Sequence, residues 1–164
     1  MDFFRENSHT INNEPNGVLS LSVLIIDDAA FMRKLCVKVL EQVGFYSFYE
    51  AKSVKDALKI LHLHGDMIHV ILLDYNMPGI DGFSLLDVLQ KSNMRKKWFI
   101  SMVTTNSDKK NIIQAIKRGA NEYITKPISV LTMTQKLGHL VSKEREELVN
   151  IDEEELPFEN DVNI

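Results

Sequence analysis

Five polar residues fall at positions where the chain could gather them for chemistry. Asp27 and Asp28 follow the apolar run Leu21–Ile26, and Asp74 ends the run Val70–Leu73. Thr104 follows Phe99–Val103, and Lys126 follows Tyr123–Thr125. Three carboxylates brought into one crevice repel one another and raise one another's pKa unless a cation joins them. A hard, oxygen-seeking ion suits such a set, and Mg²⁺ favours few carboxylates together with water and phosphate oxygens. With the ion in place, an aspartate can attack phosphorus, as in aspartyl-phosphate intermediates. The remaining work is electrostatic: the phosphoryl oxygens need an ammonium and a hydroxyl donor beside the metal. Lys126 and Thr104 supply those two types of group.

All of this requires the five residues to converge, which depends on the elements that carry them. Short apolar runs alternate with helical periods along the chain. Leu21–Ile26, Tyr46–Ala51, Val70–Leu73, Phe99–Val103 and Tyr123–Thr125 read as strands. Met32, Leu35, Cys36, Val39, Leu40 and Val43 recur at helical spacing, with Gly44 as a stop. Ser53 is a cap for a helix carrying Val54, Ala57, Leu58 and Leu61. Phe83–Leu89 and Lys109–Arg118 are helical, the latter ended by Gly119, and Ser129 caps a last helix bearing Val130, Met133, Leu137, Leu140 and Val141. Five strands alternating with five helices predict an α/β fold with a doubly wound parallel sheet. The common order is 2-1-3-4-5, as in flavodoxin-like domains, with the site at the carboxyl ends of the strands. In that order the five polar residues meet at one edge.

The 164 residues are 45% hydrophobic and 26% charged, an ordinary globular balance, and the one cysteine, Cys36, allows no internal disulfide. Cys36 lies on the apolar stripe of the first helix, where packing is expected. No apolar run approaches the ~20 residues that span a bilayer, and residues 1–17 lack the apolar core of a secretory signal. A cytoplasmic protein without membrane insertion is expected. The net charge of −4 hides an asymmetry: residues 21–143 hold 17 Lys+Arg against 11 Asp+Glu, whereas residues 144–164 hold nine acids and one Arg. The basic charges are spread over several helices without interleaved aromatics, so nucleic-acid binding is not expected. Three segments are expected: a flexible arm over 1–20, the folded α/β domain that holds the five polar residues over 21–143, and an acidic tail over 144–164. The tail allows three readings: a solvated end, an extension of the last helix through residues 144–149, or docking of Leu156 and Phe158 on Lys109, Lys110, Lys117 and Arg118. About twenty tail residues are too few for a DNA-binding domain.

The segments VLIIDDAAFMRKL, ILLDYNMPGIDG, FISMVTT and GANEYITKPI together resemble the receiver domain of two-component response regulators, most of all the single-domain chemotaxis type. The resemblance covers roughly residues 21–142. It implies that Asp74 is the phosphoacceptor, that Asp28 is a direct Mg²⁺ ligand with Asp27 holding metal-bound water, and that Asn76 offers its backbone carbonyl to the metal. It further implies that Lys126 pairs with the phosphoryl group, that Thr104 reorients toward it, and that Tyr123 is the switch aromatic. Pro127 matches the family's proline, usually preceded by a cis bond. The implied partners are a histidine kinase or histidine phosphotransfer protein as donor, and a protein target on the face of the fourth helix, fifth strand and fifth helix. The flagellar motor switch is one candidate target, and a phosphate sink or relay is the alternative role. Thr105 departs from the family's usual Ala or Gly, and a bulkier residue there restricts access to Asp74.

Blander and rival readings stand beside these. Asp27 and Asp28 are good helix caps. Asp74 alone is a turn residue, Thr104 alone a strand-end hydroxyl, and Tyr123 alone a half-buried aromatic. A phosphatase with an Asp nucleophile uses a D-x-D pattern, whereas here the third position is Asn76. A flavin-binding domain shares the architecture but needs a phosphate loop after strand one, where this chain has two acids.

Overall fold

The computed structural model describes residues 21–79, 81–92 and 98–154. The expected arm over 1–20, and Leu156 and Phe158 of the tail, lie outside the described residues. Five strands are present: β1 (Ser22–Ile26), β2 (Ser47–Ala51), β3 (Val70–Asp74), β4 (Phe99–Thr104) and β5 (Glu122–Thr125). They alternate with α1 (Ala30–Val43), α2 (Val54–His64), α3 (Gly82–Lys91), α4 (Lys109–Lys117) and α5 (Val130–Glu154), and a short 3-10 turn follows α2. The sheet has the order β2-β1-β3-β4-β5, and all its pairs are parallel.

The apolar runs become strands because both faces of this sheet are covered. Along β1 every residue is buried, and the side chains alternate between two cores. Val23 and Ile25 pack with Cys36, Val39 and Leu40 of α1 and with Met133, Leu137 and Val141 of α5. Leu24 and Ile26 pack with Ala57 and Leu61 of α2, Leu85, Leu86 and Leu89 of α3, and Ala115 of α4. Strand β2 is the weakest run in sequence because it forms an edge and is only partly buried. Buried Cys36 is an apolar filler: desolvation pushes its thiol up to about 12, far from a reactive thiolate.

Local signals set the boundaries. Gly44 ends α1 at φ +115°, and its N–H bonds the Leu40 carbonyl. The Ser53 Oγ accepts from the Asp56 N–H at 3.1 Å, and the Ser129 Oγ accepts from the Thr132 N–H at 3.1 Å. The acids after β1 do not cap α1: its N-cap is Ala29, and no side chain caps it. Instead Asp27 Oδ1 accepts from the Ala29 N–H at 2.8 Å, a local turn that leaves Asp27 at the strand end. Helix α5 continues to Glu154, so residues 144–154 are helical.

The register carries the sheet's edge to the site. Ile26 pairs with Leu73, Asp74 with Val103, and Thr104 with Thr125. Gly82 begins α3 beside this edge, where a Cβ would lie 2.7 Å from the Asp74 carbonyl oxygen. A side chain there would push α3 off β3, so the close approach requires glycine. At the opposite end, the single tryptophan, Trp98, is buried and donates its Nε1–H to the Gly65 carbonyl at 2.9 Å.

Among the described residues, Ser101 Oγ is the buried side-chain polar atom without a hydrogen-bond partner. It sits in the middle of β4 with no exposure. An unsatisfied buried hydroxyl costs ~1–3 kcal/mol. Ser101→Ala is therefore expected to stabilise the domain by about 1 kcal/mol, measured by urea unfolding followed through Trp98 fluorescence. A loss of stability of that size would contradict the reading of this hydroxyl.

Candidate functional site

The sheet order brings all five sequence-selected polar residues to one rim. Asp27 and Asp74 extend neighbouring strands, Thr104 closes β4, and Lys126 follows β5. The strands are locked there by main-chain bonds: Asp27 N–H to the Ala51 carbonyl at 3.1 Å, and Lys126 N–H to the Thr104 carbonyl at 2.7 Å. The peptide Lys126–Pro127 is cis, as the resemblance implied.

The lysine spans the crevice. Lys126 Nζ donates to Asp27 Oδ2 at 3.0 Å and to Asp74 Oδ1 at 3.1 Å. Asp27 and Asp74 are buried, and Asp28 is exposed at the mouth. One carboxylate oxygen from each of Asp27, Asp28 and Asp74 lies within 4.8 Å of the others. The donor set is all oxygen, and three carboxyl groups face one ammonium. Both features fit a hard divalent cation, and neither suits a soft metal.

Burial dominates the ionisation of Asp74 and raises its pKa. Lys126 opposes that rise through charge and hydrogen bonding, Asp27 adds to it, and the Asn76 backbone opposes it. For Lys126, burial works against the ammonium, but its contacts with Asp27 and Asp74 together outweigh it and raise the pKa. The lysine is therefore held charged where it faces the acids.

The other sequence-selected residues ring this centre. Thr104 is fully buried, and its Oγ1 accepts from the Asn106 N–H at 3.1 Å. Tyr123 is buried, and its hydroxyl donates to the Asn106 carbonyl at 2.6 Å. Burial raises the Tyr123 pKa, and a hydrogen bond with Thr104 lowers it. Thr104, Asn106 and Tyr123 thus form one connected unit. Asn76 follows β3 and its Nδ2–H contacts Thr105 Oγ1 at 3.4 Å, so Thr105 stands at the rim beside the β3–α3 loop.

Sequence reasoning missed these contacts around the site. Arg33 bonds the carbonyls of both acids after β1. Asn106 provides the backbone carbonyl for Tyr123. Tyr75, next to Asp74, packs on Phe83 at 4.7 Å between centroids, and Arg118 lies 5.0 Å over the Phe83 ring while pairing with Asp87. The only available signal was an Arg five residues beyond the acid pair; backbone partners and ring stacking leave no mark in spacing.

The model for the response regulator receiver domain matches residues 23–138. The chain belongs to the response regulator receiver domain family. These receiver domains are signalling proteins rather than enzymes. The chain is 32% identical over 117 residues to the chemotaxis protein CheY1 of Helicobacter pylori, covering 71% of this chain and 94% of that protein. The structure of the chemotaxis protein CheY4 of Vibrio cholerae superposes with a TM-score of 0.63 at 25% identity, covering 77% and 98% of the two chains. A CheX–CheY–BeF3–Mg²⁺ complex from Borrelia burgdorferi superposes with a TM-score of 0.62 at 22% identity, covering 79% and 89%. The receiver's acidic pocket is Asp27, Asp28 and Asp74. No helix among the described residues is long and apolar enough to cross a membrane.

The raised pKa of Asp74 has a sign that can be checked. A carboxyl whose folded pKa exceeds its unfolded value is destabilising when ionised, and that penalty disappears below the unfolded pKa of 3.8. Asp74→Asn is expected to be more stable than wild type at neutral pH, with the gain shrinking as pH falls toward 3.8. Adding Mg²⁺ at ten times its Kd should stabilise wild type by about 1.4 kcal/mol and the variant by less. Urea unfolding at several pH values measures both effects; a variant less stable than wild type at neutral pH would contradict the assignment of repulsive burial.

Proposed function

We propose that this receiver domain binds Mg²⁺ at Asp27, Asp28 and Asp74, accepts a phosphoryl group on Asp74, and signals through protein–protein contact. The observation that carries this is the Lys126 bridge from Asp27 to Asp74 inside a three-carboxylate crevice. Bound Mg²⁺ would neutralise charge on the phosphoryl oxygens. Asp28 and Asp74 would be its carboxylate ligands, Asn76 would offer its backbone carbonyl, and Asp27 would hold a metal-bound water.

In the transfer step an Asp74 carboxylate oxygen attacks phosphorus while the bond from phosphorus to the donor's imidazole nitrogen breaks. The electron pair of that bond leaves with the imidazole. Lys126, already beside Asp74, pairs with the transferred oxygens. Thr104 donates its hydroxyl to the same group by turning from the Asn106 amide. Hydrolysis of the acyl phosphate by water restores Asp74.

Tyr123 and Thr104 meet at Asn106, which supports a switch in that unit. When Thr104 turns toward the phosphoryl group, the β4–α4 loop that holds Tyr123 is pulled with it, and the face of α4, β5 and α5 changes. Two pre-existing shapes would shift in population. The donor is a histidine kinase or histidine phosphotransfer protein in the cytoplasm. The output is a protein bound on that face, for which the flagellar motor switch is one candidate. The Borrelia relative, crystallised as CheY with CheX, BeF3 and Mg²⁺, supports a receiver that pairs with another protein. A phosphate sink or relay is the second reading, favoured by the mobile character of an acyl phosphate rather than by any residue.

Incubation with Mg²⁺ and acetyl phosphate, followed by intact-mass measurement, tests the reaction. A gain of one phosphoryl group is expected for wild type, with none in Asp74→Asn and none after chelation. Lys126→Met should retain Mg²⁺ binding but lose at least about tenfold in phosphorylation rate. No mass gain in wild type with any small phosphodonor would overturn the proposal.

A further inference from the structure

We infer that Arg33 is the positioning residue that aims Asp28 into the metal site. The inference rests on the function proposed above and deepens it. Arg33 lies in the first turn of α1, and its side chain is 15% exposed. Its Nη1 donates to the Asp27 carbonyl at 2.8 Å and, at 3.4 Å, to the Asp28 carbonyl. Its Nε donates to Glu50 Oε2 at 2.9 Å. The guanidinium is thereby tied to β2 on one side and to the loop bearing the acids on the other.

The two carbonyls belong to the peptide units that flank the Asp28 Cα. A peptide unit is planar. Holding one unit on each side of the Cα sets the direction of the Cβ between them. Asp28 is exposed, so packing does little to aim its carboxylate, and the backbone has to do so. Helix α1 offers no substitute anchor: it has no side-chain N-cap and no acid in its first turn. Asp27 has its own restraints, the Ala29 N–H on Oδ1 and the Ala51 carbonyl on its N–H. The Ala29 N–H bond also holds the unit after the Asp28 Cα, and the arginine holds the unit before it at 2.8 Å and adds to the one after it at 3.4 Å. The planar fork suits this task because it serves Glu50 and two carbonyls at once, which a single ammonium on a flexible stem does poorly.

Charge and geometry predict opposite signs for loss of Arg33. A guanidinium near the crevice repels a cation, so its removal by field alone would tighten Mg²⁺ binding. Removal of the restraint on Asp28 would weaken it. Outer groups that orient metal ligands typically carry ten- to a hundredfold in metal affinity or activity, and the effect here is expected on the order of tenfold.

Isothermal calorimetry of Mg²⁺ binding to wild type, Arg33→Met and Arg33→Lys decides between the two, with circular dichroism as a check that each variant is folded. Weaker binding is expected in Arg33→Met by about tenfold. Arg33→Lys, which keeps the charge and loses the fork, should also be weaker by several-fold. It carries the test if Arg33→Met does not fold. Saturating Mg²⁺ should restore phosphorylation by acetyl phosphate in both variants to near the wild-type rate, the split expected of a positioning role. Unchanged or tighter Mg²⁺ binding in the folded variants would overturn the inference while leaving the proposed function intact. Absence of Mg²⁺ binding in wild type would overturn both together.

Discussion

The repulsion among Asp27, Asp28 and Asp74 is the constraint on which the rest of the site is built. Two of these carboxylates are buried, and burial raises the pKa of Asp74. A buried charge without a partner costs several kcal/mol, so the crevice is stable only with cationic company. Lys126 provides it by reaching both buried acids at about 3 Å. One ammonium faces three carboxyl groups. The excess of acids suits the crevice to a divalent ion, and an ion so held would suit it to the phosphoryl group proposed above.

The doubly wound sheet serves that constraint directly. Parallel strands deliver their carboxyl ends to one edge, and the order β2-β1-β3-β4-β5 sets the first and third strands side by side. The acids therefore come from neighbours, while the lysine crosses from β5 over Thr104 to reach them. Gly82 lets α3 start against β3. Arg33 ties the first acid loop to β2. The connection from Thr104 through Asn106 to Tyr123 leads away from the site toward the α4 and β5 surface. The same rim that gathers charge thus contacts the part of the molecule proposed to change shape.

Much of this was legible in the sequence because the sheet is buried on both faces. Runs such as Val70–Leu73 and Phe99–Val103 admit few other assignments once helices of known period flank them. The five site residues were legible for the same reason: each lies at a strand's end, and the strand order converts sequence position into proximity. Helix capping by Asp27 and Asp28 was an equal expectation for those residues alone. The structure instead starts α1 at Ala30, with Ala29 as an N-cap that makes no side-chain bond. Interactions through the backbone were not legible. Nothing in the spacing of Arg33 and Glu50 marks their contact across 17 positions, nor the choice of the Asn106 carbonyl by Tyr123. The extension of α5 was also only one of three readings, and it stopped at residue 149 whereas the helix runs to Glu154. An acidic composition suits either a helix or a solvated chain, and no glycine or proline falls between Ser142 and Glu154 to stop it.

The central claim is that the acids after β1 and β3 close on one divalent ion. Amide ¹H–¹⁵N spectra recorded through a Mg²⁺ titration test it most directly. Saturable shifts are expected at Asp27, Asp28 and residues 74–76, with the rest of the sheet nearly still. Shifts absent from these amides, or spread evenly over the acidic surface, would contradict it.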